Sequence, residues 1–316
     1  MEFDIWNLIF DDMHESNGIF VIDKPPDITS ARVVACVKKV LNVRKAGHTG
    51  TLDPFATGVM ICCINQSTRL ARFFLHGNKK YEAVLHLGIE TDTQDSTGTV
   101  LSKFEIQNLK LDEKTIYSVF KRFEGGIEQL PPVYSALKHE GVPLYKLARK
   151  GTPVQKPARR VFISFMKILD INLPRIRFEV SCSAGTYIRT LAADIGTALR
   201  CGALLESLRR TESSGFAIEE AITLPEMESL ALSGKISDRM TGMADALREM
   251  PNHVADDMLM EKIKYGRPVT KKDIISPEPV GPEGFFKVVD ANNNLLAVLG
   301  DKKRSDMYNY CCVFHK

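Results

Sequence analysis

Apolar residues recur along this chain with two spacings, and the switches between them mark out its elements. Gly18 to Ile22 is a short β-type run that stops at Asp23-Lys24-Pro25-Pro26, where prolines end the strand. Val33, Val34, Val37, Val40 and Leu41 then share one helical face, which predicts a helix over Ala31–Leu41 with Thr29 and Ser30 as N-cap candidates. Val59 to Ile64 is continuously apolar, as in a buried strand, and Lys80 to Leu87 alternates. A short helix is expected at Ala71–Phe74 and an amphipathic one over Leu111–Phe123. Val161–Leu169 and Arg175–Ser183 predict two strands paired around Pro174. A turn at Gly185 leads into a helix whose Ile188, Leu191, Ala192 and Ile195 share a face, leaving Arg189 and Asp194 off that stripe. Leu204–Arg210 reads as a strand, and Pro225 to about Arg248 as a helical stretch.

The pattern changes from about Asn252. A polar helix is followed by a loop with Pro277, Pro279, Gly281, Pro282 and Gly284, then by β-type runs at Phe285–Val289, Leu295–Leu299 and Tyr310–Phe314. This predicts a small β-rich domain over 251–316 after a larger unit over 1–250, and 316 residues suit two domains better than one.

Three segments fit neither period. Residues 47–58, Gly-His-Thr-Gly-Thr-Leu-Asp-Pro-Phe-Ala-Thr-Gly, hold three glycines, three threonines and a proline, and read as a shaped loop. Glu90 to Gly98 carries three acids but lacks the alternating ligands and terminal Glu of a calcium loop, so a solvated loop is expected. Leu130 to Lys138 is extended, and from Lys138 to Arg160 the chain carries a net charge of +6 in 23 residues, against +3 for the whole sequence. With Tyr134 and Tyr145 interleaved, this flexible basic arm suits a phosphate backbone; a solvated surface is the plain alternative.

Composition adds limits. A content of 44% hydrophobic and 26% charged residues is ordinary globular composition. The mild net charge does not by itself imply a nucleic-acid partner. Seven cysteines without a C-x-x-C, two of the pairs adjacent, read as reduced buried thiols in a cytoplasmic protein. The acidic, charge-interrupted N-terminus is not a signal peptide, and no apolar run is long enough for a membrane span.

Asp53 is the acid of interest. Pro54 restricts it to extended angles, small neighbours let a substrate approach, and a carboxylate so held can act at a sugar carbon. Arg189 is a candidate counter-charge, Tyr81 and Tyr187 candidate stacking surfaces, and His48 a polar lining or phosphate contact. Singly, each also reads as a turn, surface or core residue.

Taken in order, however, the segments resemble one family. The loop 47–58 closely resembles the signature loop of the TruB family of tRNA pseudouridine synthases. Ile22-Asp23-Lys24-Pro25, Lys80-Tyr81, Pro131-Pro132-Val133-Tyr134-Ser135-Ala136-Leu137-Lys138, the block 185–196 and Leu208-Arg209-Arg210-Thr211 resemble that family's other motifs. The resemblance spans residues 18 to about 215 and is looser from 252 onward. It implies an α+β pseudouridine synthase fold, with a mixed, mainly antiparallel central sheet flanked by helices, plus a small β-rich C-terminal PUA-like domain. It implies isomerisation of uridine 55 in the tRNA T-loop, after base flipping, with no metal, nucleotide or redox cofactor. Asp53 would cleave the glycosidic bond, Arg189 pair with it, and Tyr81 stack on the flipped uracil and assist a late proton removal at C5. Tyr187 and Leu208 would line the base pocket and His48 hold the extruded RNA. The insertion 131–160, with Lys138, Lys146, Arg149 and Lys150, would clasp the T-arm. A monomer with no obligatory protein partner and no membrane is expected. The rival readings are a non-catalytic RNA-binding protein, a synthase working in a guide-RNA complex, and a hydrolase built on Asp53, for which the sequence lacks a convincing second carboxylate.

Overall fold

The computed structural model describes residues 13–106, 111–274, 284–302 and 305–314. The expectations for the first twelve residues and for the loop around Pro277–Pro282 lie outside these.

The central sheet has ten strands. Eight form its path, in the order Thr241–Gly242, β1 (Gly18–Lys24), β3 (Thr57–Ile64), β8 (Ala203–Ser213), β4 (Lys79–Leu87), β7 (Arg175–Cys182), β6 (Arg159–Asn172) and β5 (Gly125–Gln129). The short β2 (Ala46–His48) pairs with β3, and Phe216–Ala217 pairs with β8. Every pairing is antiparallel except β3 with β8.

The two halves of the sheet are covered differently, and their sequences show it. β4 alternates buried and half-buried positions because one face packs on helices and the other meets solvent. Tyr81, Ala83, Leu85 and Leu87 share a core with Phe178 of β7, with Ile116 and Phe120 of a helix at Glu113–Arg122, and with Leu191 and Ile195 of the helix Ile188–Ala198. β1 and β3 are covered on both faces, so their stretches Ile19–Ile22 and Val59–Ile64 are continuously apolar. Phe20, Ile22, Met60 and Cys62 pack on Val33 and Val37 of the helix Ser30–Val40. Ile19, Val21, Ile61 and Cys63 face the other way, in a cluster that includes Val289, Val298 and Phe314 of the tail. Cys62 and Cys63 thus point to opposite sides and are buried free thiols.

The tail forms a second sheet, β9 (Asn252–Val254), β10 (Phe285–Val289), β11 (Leu295–Asp301) and β12 (Tyr308–Val313), with a helix at Asp257–Lys264. Lys287 Nζ donates across to Ala244 O and Leu247 O at 2.8 and 2.9 Å.

Three expectations are corrected. The helix expected from Pro225 to Arg248 spans only Leu224–Leu232, because Gly234 takes a left-handed φ of 69° that ends it. The basic arm is folded rather than flexible: Lys138–His139 pairs with Val142–Pro143, and Leu144–Arg149 is helical, anchored by fully buried Leu144. Thr29 caps its helix by accepting from the Arg32 amide, whereas the Ser30 hydroxyl has a different partner.

Candidate active site

The loop between β2 and β3 is held from beneath by Ser30, Lys24 and Arg210. Ser30 Oγ donates to Leu52 O at 3.0 Å and accepts from Leu52 N at 2.9 Å. Lys24 is fully buried, and its Nζ donates to Pro25 O, Pro54 O and Ala56 O at 2.9, 2.9 and 2.6 Å. Burial lowers this ammonium to about 8, against the opposing pull of Asp27 and Asp53. Arg210, 2% exposed, donates through Nε to Val59 O at 2.7 Å and through Nη2 to Gly50 O at 3.1 Å. The parallel register sets Arg210 beside Gly58, whose φ is 103° and where a Cβ would lie 2.2 Å from Arg210 O; only glycine fits.

A nearby ion pair, Arg209 with Asp23 at 2.7 Å, has an arginine 42% exposed. Exposed pairs are worth about 0–1 kcal/mol, so the buried Lys24 and Arg210 hold the loop.

Asp53 is thereby presented to Arg189, in the first turn of the helix Ile188–Ala198. Arg189 is only 3% exposed although it lies off the apolar stripe. Its Nε is 2.8 Å from Asp53 Oδ2, an ion contact without hydrogen-bond alignment, and Nη2 reaches Asp53 Oδ1 at 3.5 Å. Nη1 donates to Thr93 O at 2.7 Å and Nη2 to Tyr134 O at 2.8 Å. Burial raises the Asp53 carboxyl above its ordinary value against the pull of Arg189; Asp95 adds to the rise and Lys24 opposes it.

The loop at 90–98 was expected to be solvated, and its Asp95 is instead 4% exposed, with Oδ2 3.5 Å from Arg189 Nη1. Asp95 Oδ1 accepts from Thr93 Oγ1, Thr97 N and Thr97 Oγ1 at 2.8, 3.0 and 2.6 Å. The site therefore contains a second carboxylate, with one oxygen engaged by the threonines of its own loop.

Asp53 and Arg189 line a cavity of about 390 Å³ together with Tyr81, Tyr187 and Leu208. Tyr81, on β4, is 7% exposed, and burial pushes its phenol upward, so it stays a neutral ring. Arg159 stacks on Tyr187, 4.8 Å from the ring centroid, and donates to Gly185 O. His48 does not line the cavity. Its Nδ1 accepts from Gly50 N at 3.3 Å, and burial and Arg210 push the imidazole downward, which keeps that nitrogen free to accept. Lys138, Lys146, Arg149 and Lys150 are exposed on the folded insertion and outside the cavity.

Sequence reasoning missed Lys24, Arg210 and Asp95 as functional. The first two sit within quoted motifs, but their role depends on burial, which spacing does not reveal; Asp95 looked like one of several loop acids. Among the described residues, no three His, Cys, Asp or Glu side chains group as metal ligands would.

The description "TruB family pseudouridylate synthase (N terminal domain)" matches residues 38–188, and "tRNA pseudouridylate synthase B C-terminal domain" matches residues 189–250. The chain is 42% identical over 254 residues to a tRNA pseudouridine synthase B of Syntrophotalea carbinolica, covering 80% of this chain and 82% of that one. It is 42% identical over 258 residues to the Geobacter sulfurreducens protein of the same name, covering 82% and 84%. Among solved structures, a chain in a crystal structure of a Cbf5-Nop10-Gar1 complex superimposes with a TM-score of 0.75 at 28% identity, covering 96% of this chain and 87% of that one.

A carboxyl raised by burial holds its proton more tightly folded than unfolded, so Asp53 subtracts stability as pH climbs through its folded-state pKa. The neutral Asp53→Asn chain should therefore unfold at the same or a higher temperature at pH 7. Its advantage should shrink as pH falls toward about 4, the ordinary carboxylate range. A Tm several degrees lower at pH 7 would show that the Arg189 pairing outweighs burial.

Proposed function

The chain belongs to the TruB family of pseudouridine synthases, and from that premise we propose that Asp53, held by Arg189 and faced by Tyr81, performs the family's isomerisation of uridine 55 in the tRNA T-loop. The observation that carries this reading is a partly exposed carboxylate, clamped by a buried guanidinium, at the wall of a cavity of nucleoside size.

The target base lies inside a folded loop and must be extruded, which takes a few kcal/mol. Stacking on Tyr81 returns about 1–3 kcal/mol. Asp53 then acts at the sugar to break the N-glycosidic bond. Tyr187 and Leu208 hold the freed uracil while it turns, C5 joins C1′, and the proton displaced from C5 is balanced by one gained at N1. Asp53 must be ionised to act, and Arg189 supplies the opposing charge that favours that form against burial. Arg210 and Lys24 hold the loop so that its small residues leave the carboxylate open to the ligand.

The division at residue 250, the PUA-like character of the tail and the clasp at 131–160 belong to the same reading. The exposed Lys138, Lys146, Arg149 and Lys150 suit a phosphate backbone, and His48, whose Nδ1 accepts from Gly50 N, would help hold the extruded RNA. The superimposing Cbf5 chain is in a complex with Nop10 and Gar1. This chain carries the basic insertion itself, which supports direct tRNA recognition; a monomer acting in the cytoplasm without an obligatory protein partner is proposed with it. No helix of the described residues is long and apolar enough to cross a membrane.

Incubating the chain with an unmodified T-arm stem-loop, followed by chemical mapping, should show pseudouridine at the target. Asp53→Asn should bind the stem-loop and leave the uridine unchanged; turnover by that variant would refute the assignment. Neutralising Lys146, Arg149 and Lys150 together should weaken binding and lower the salt slope by about 2–3. An unchanged slope would remove the arm from the interface.

A further inference from the structure

The cavity has one wall that the reading above leaves unused. It is built by Ser135, Ala136 and Leu137. Its backbone is fixed: Ser135 O accepts from Tyr145 N at 3.0 Å, and Leu137 O from Leu144 N at 2.7 Å. The preceding Tyr134 is held twice, its carbonyl by Arg189 Nη2 and its phenol by Asp92 Oδ2 at 3.2 Å. Ser135 is 4% exposed, yet its Oγ has no hydrogen-bond partner among the described residues. Buried hydroxyls are nearly always paired. Two other deeply buried serines obey this, Ser30 bonding Leu52 and Ser67 bonding Gly18 and Ile64.

We infer that Ser135 Oγ is a substrate-positioning contact that completes its hydrogen bonding on the 2′-hydroxyl of the target ribose. The inference rests on the reading of Asp53 as the group acting at the sugar. If Asp53 addresses C1′, the ribose lies against the Asp53–Arg189 pair, and C2′ is the neighbouring carbon. Arg189 is bonded directly to the residue before Ser135, so this wall flanks the sugar. A serine hydroxyl is donor and acceptor at once and matches another hydroxyl. A phosphate would instead draw on a cation such as Arg159, which also lines the cavity. The 2′-hydroxyl is the group by which a protein tells RNA from DNA at a given nucleotide, so Ser135 is assigned that discrimination at the reacting residue.

The test is a cycle of protein and substrate changes. Binding of T-arm stem-loops with uridine or 2′-deoxyuridine at the target is measured in the Asp53→Asn chain, so that no turnover intervenes, with and without Ser135→Ala. Removing the 2′-hydroxyl should weaken binding about tenfold when Ser135 is present and less than twofold when it is replaced. Ser135→Cys, closer in volume and a weak donor, should follow Ser135→Ala and guards against a folding defect. An equal 2′-deoxy penalty with and without the hydroxyl overturns the inference, as does the absence of any penalty with Ser135 present. Conversion of the uridine stem-loop by the unaltered chain is followed separately. Its failure would refute the isomerase reading, whereas intact conversion with an equal penalty would refute the Ser135 contact alone.

Discussion

One guanidinium organises this site. Arg189 is almost fully removed from solvent and spends its donors on three separate segments: Asp53 of the 47–58 loop, Asp95 and Thr93 of the 90s loop, and Tyr134 of the basic insertion. A buried charge is tolerated only when it is paired and hydrogen-bonded, so the segments that satisfy Arg189 are also the segments it holds in place. A single side chain thereby sets the carboxylate, one cavity wall and the root of the basic insertion relative to one another.

The central sheet makes that arrangement possible. Most of it is antiparallel, but the parallel contact of Arg209 and Arg210 with Thr57 and Gly58 lays one strand along the end of the catalytic loop. Arg210 can then reach back to Gly50, and Lys24, arriving on the next strand but one, fills the space beneath Pro54 and Ala56. The loop is rich in glycine and threonine, and its apolar anchorage is limited to Leu52, Phe55 and Ala56 in the core. Buried cations bonded to its carbonyls supply the stiffness that a hydrophobic loop would get from packing.

Much of this was legible in the sequence. Strands such as Lys80–Leu87 and the helix carrying Ile188, Leu191 and Ile195 announce themselves by period, and the ordered motifs from residue 18 to about 215 point to the family. What stayed hidden depends on burial at long range. Asp95 looks like one acid in a polar loop until that loop is seen closing over Arg189, and Lys24 looks like a charge at a strand end until its ammonium is found beneath the loop. The overlong helix after Pro225 shows the opposite failure, an apolar stretch that continues past a glycine that ends it. His48, placed on the RNA by resemblance, also accepts from the Gly50 amide through Nδ1, a contact its spacing does not announce.

The account's central claim is that the geometry of the Arg189 fork, and not merely its positive charge, prepares Asp53. The most direct measurement is the single-turnover rate of pseudouridine formation on an unmodified T-arm by the Arg189→Lys chain, alongside its affinity for that RNA. Lysine keeps the charge but cannot span Asp53, Thr93 and Tyr134 together. The account predicts a rate reduced by about a hundredfold or more, with affinity changed only a few-fold. A rate within twofold of the unaltered chain would contradict it.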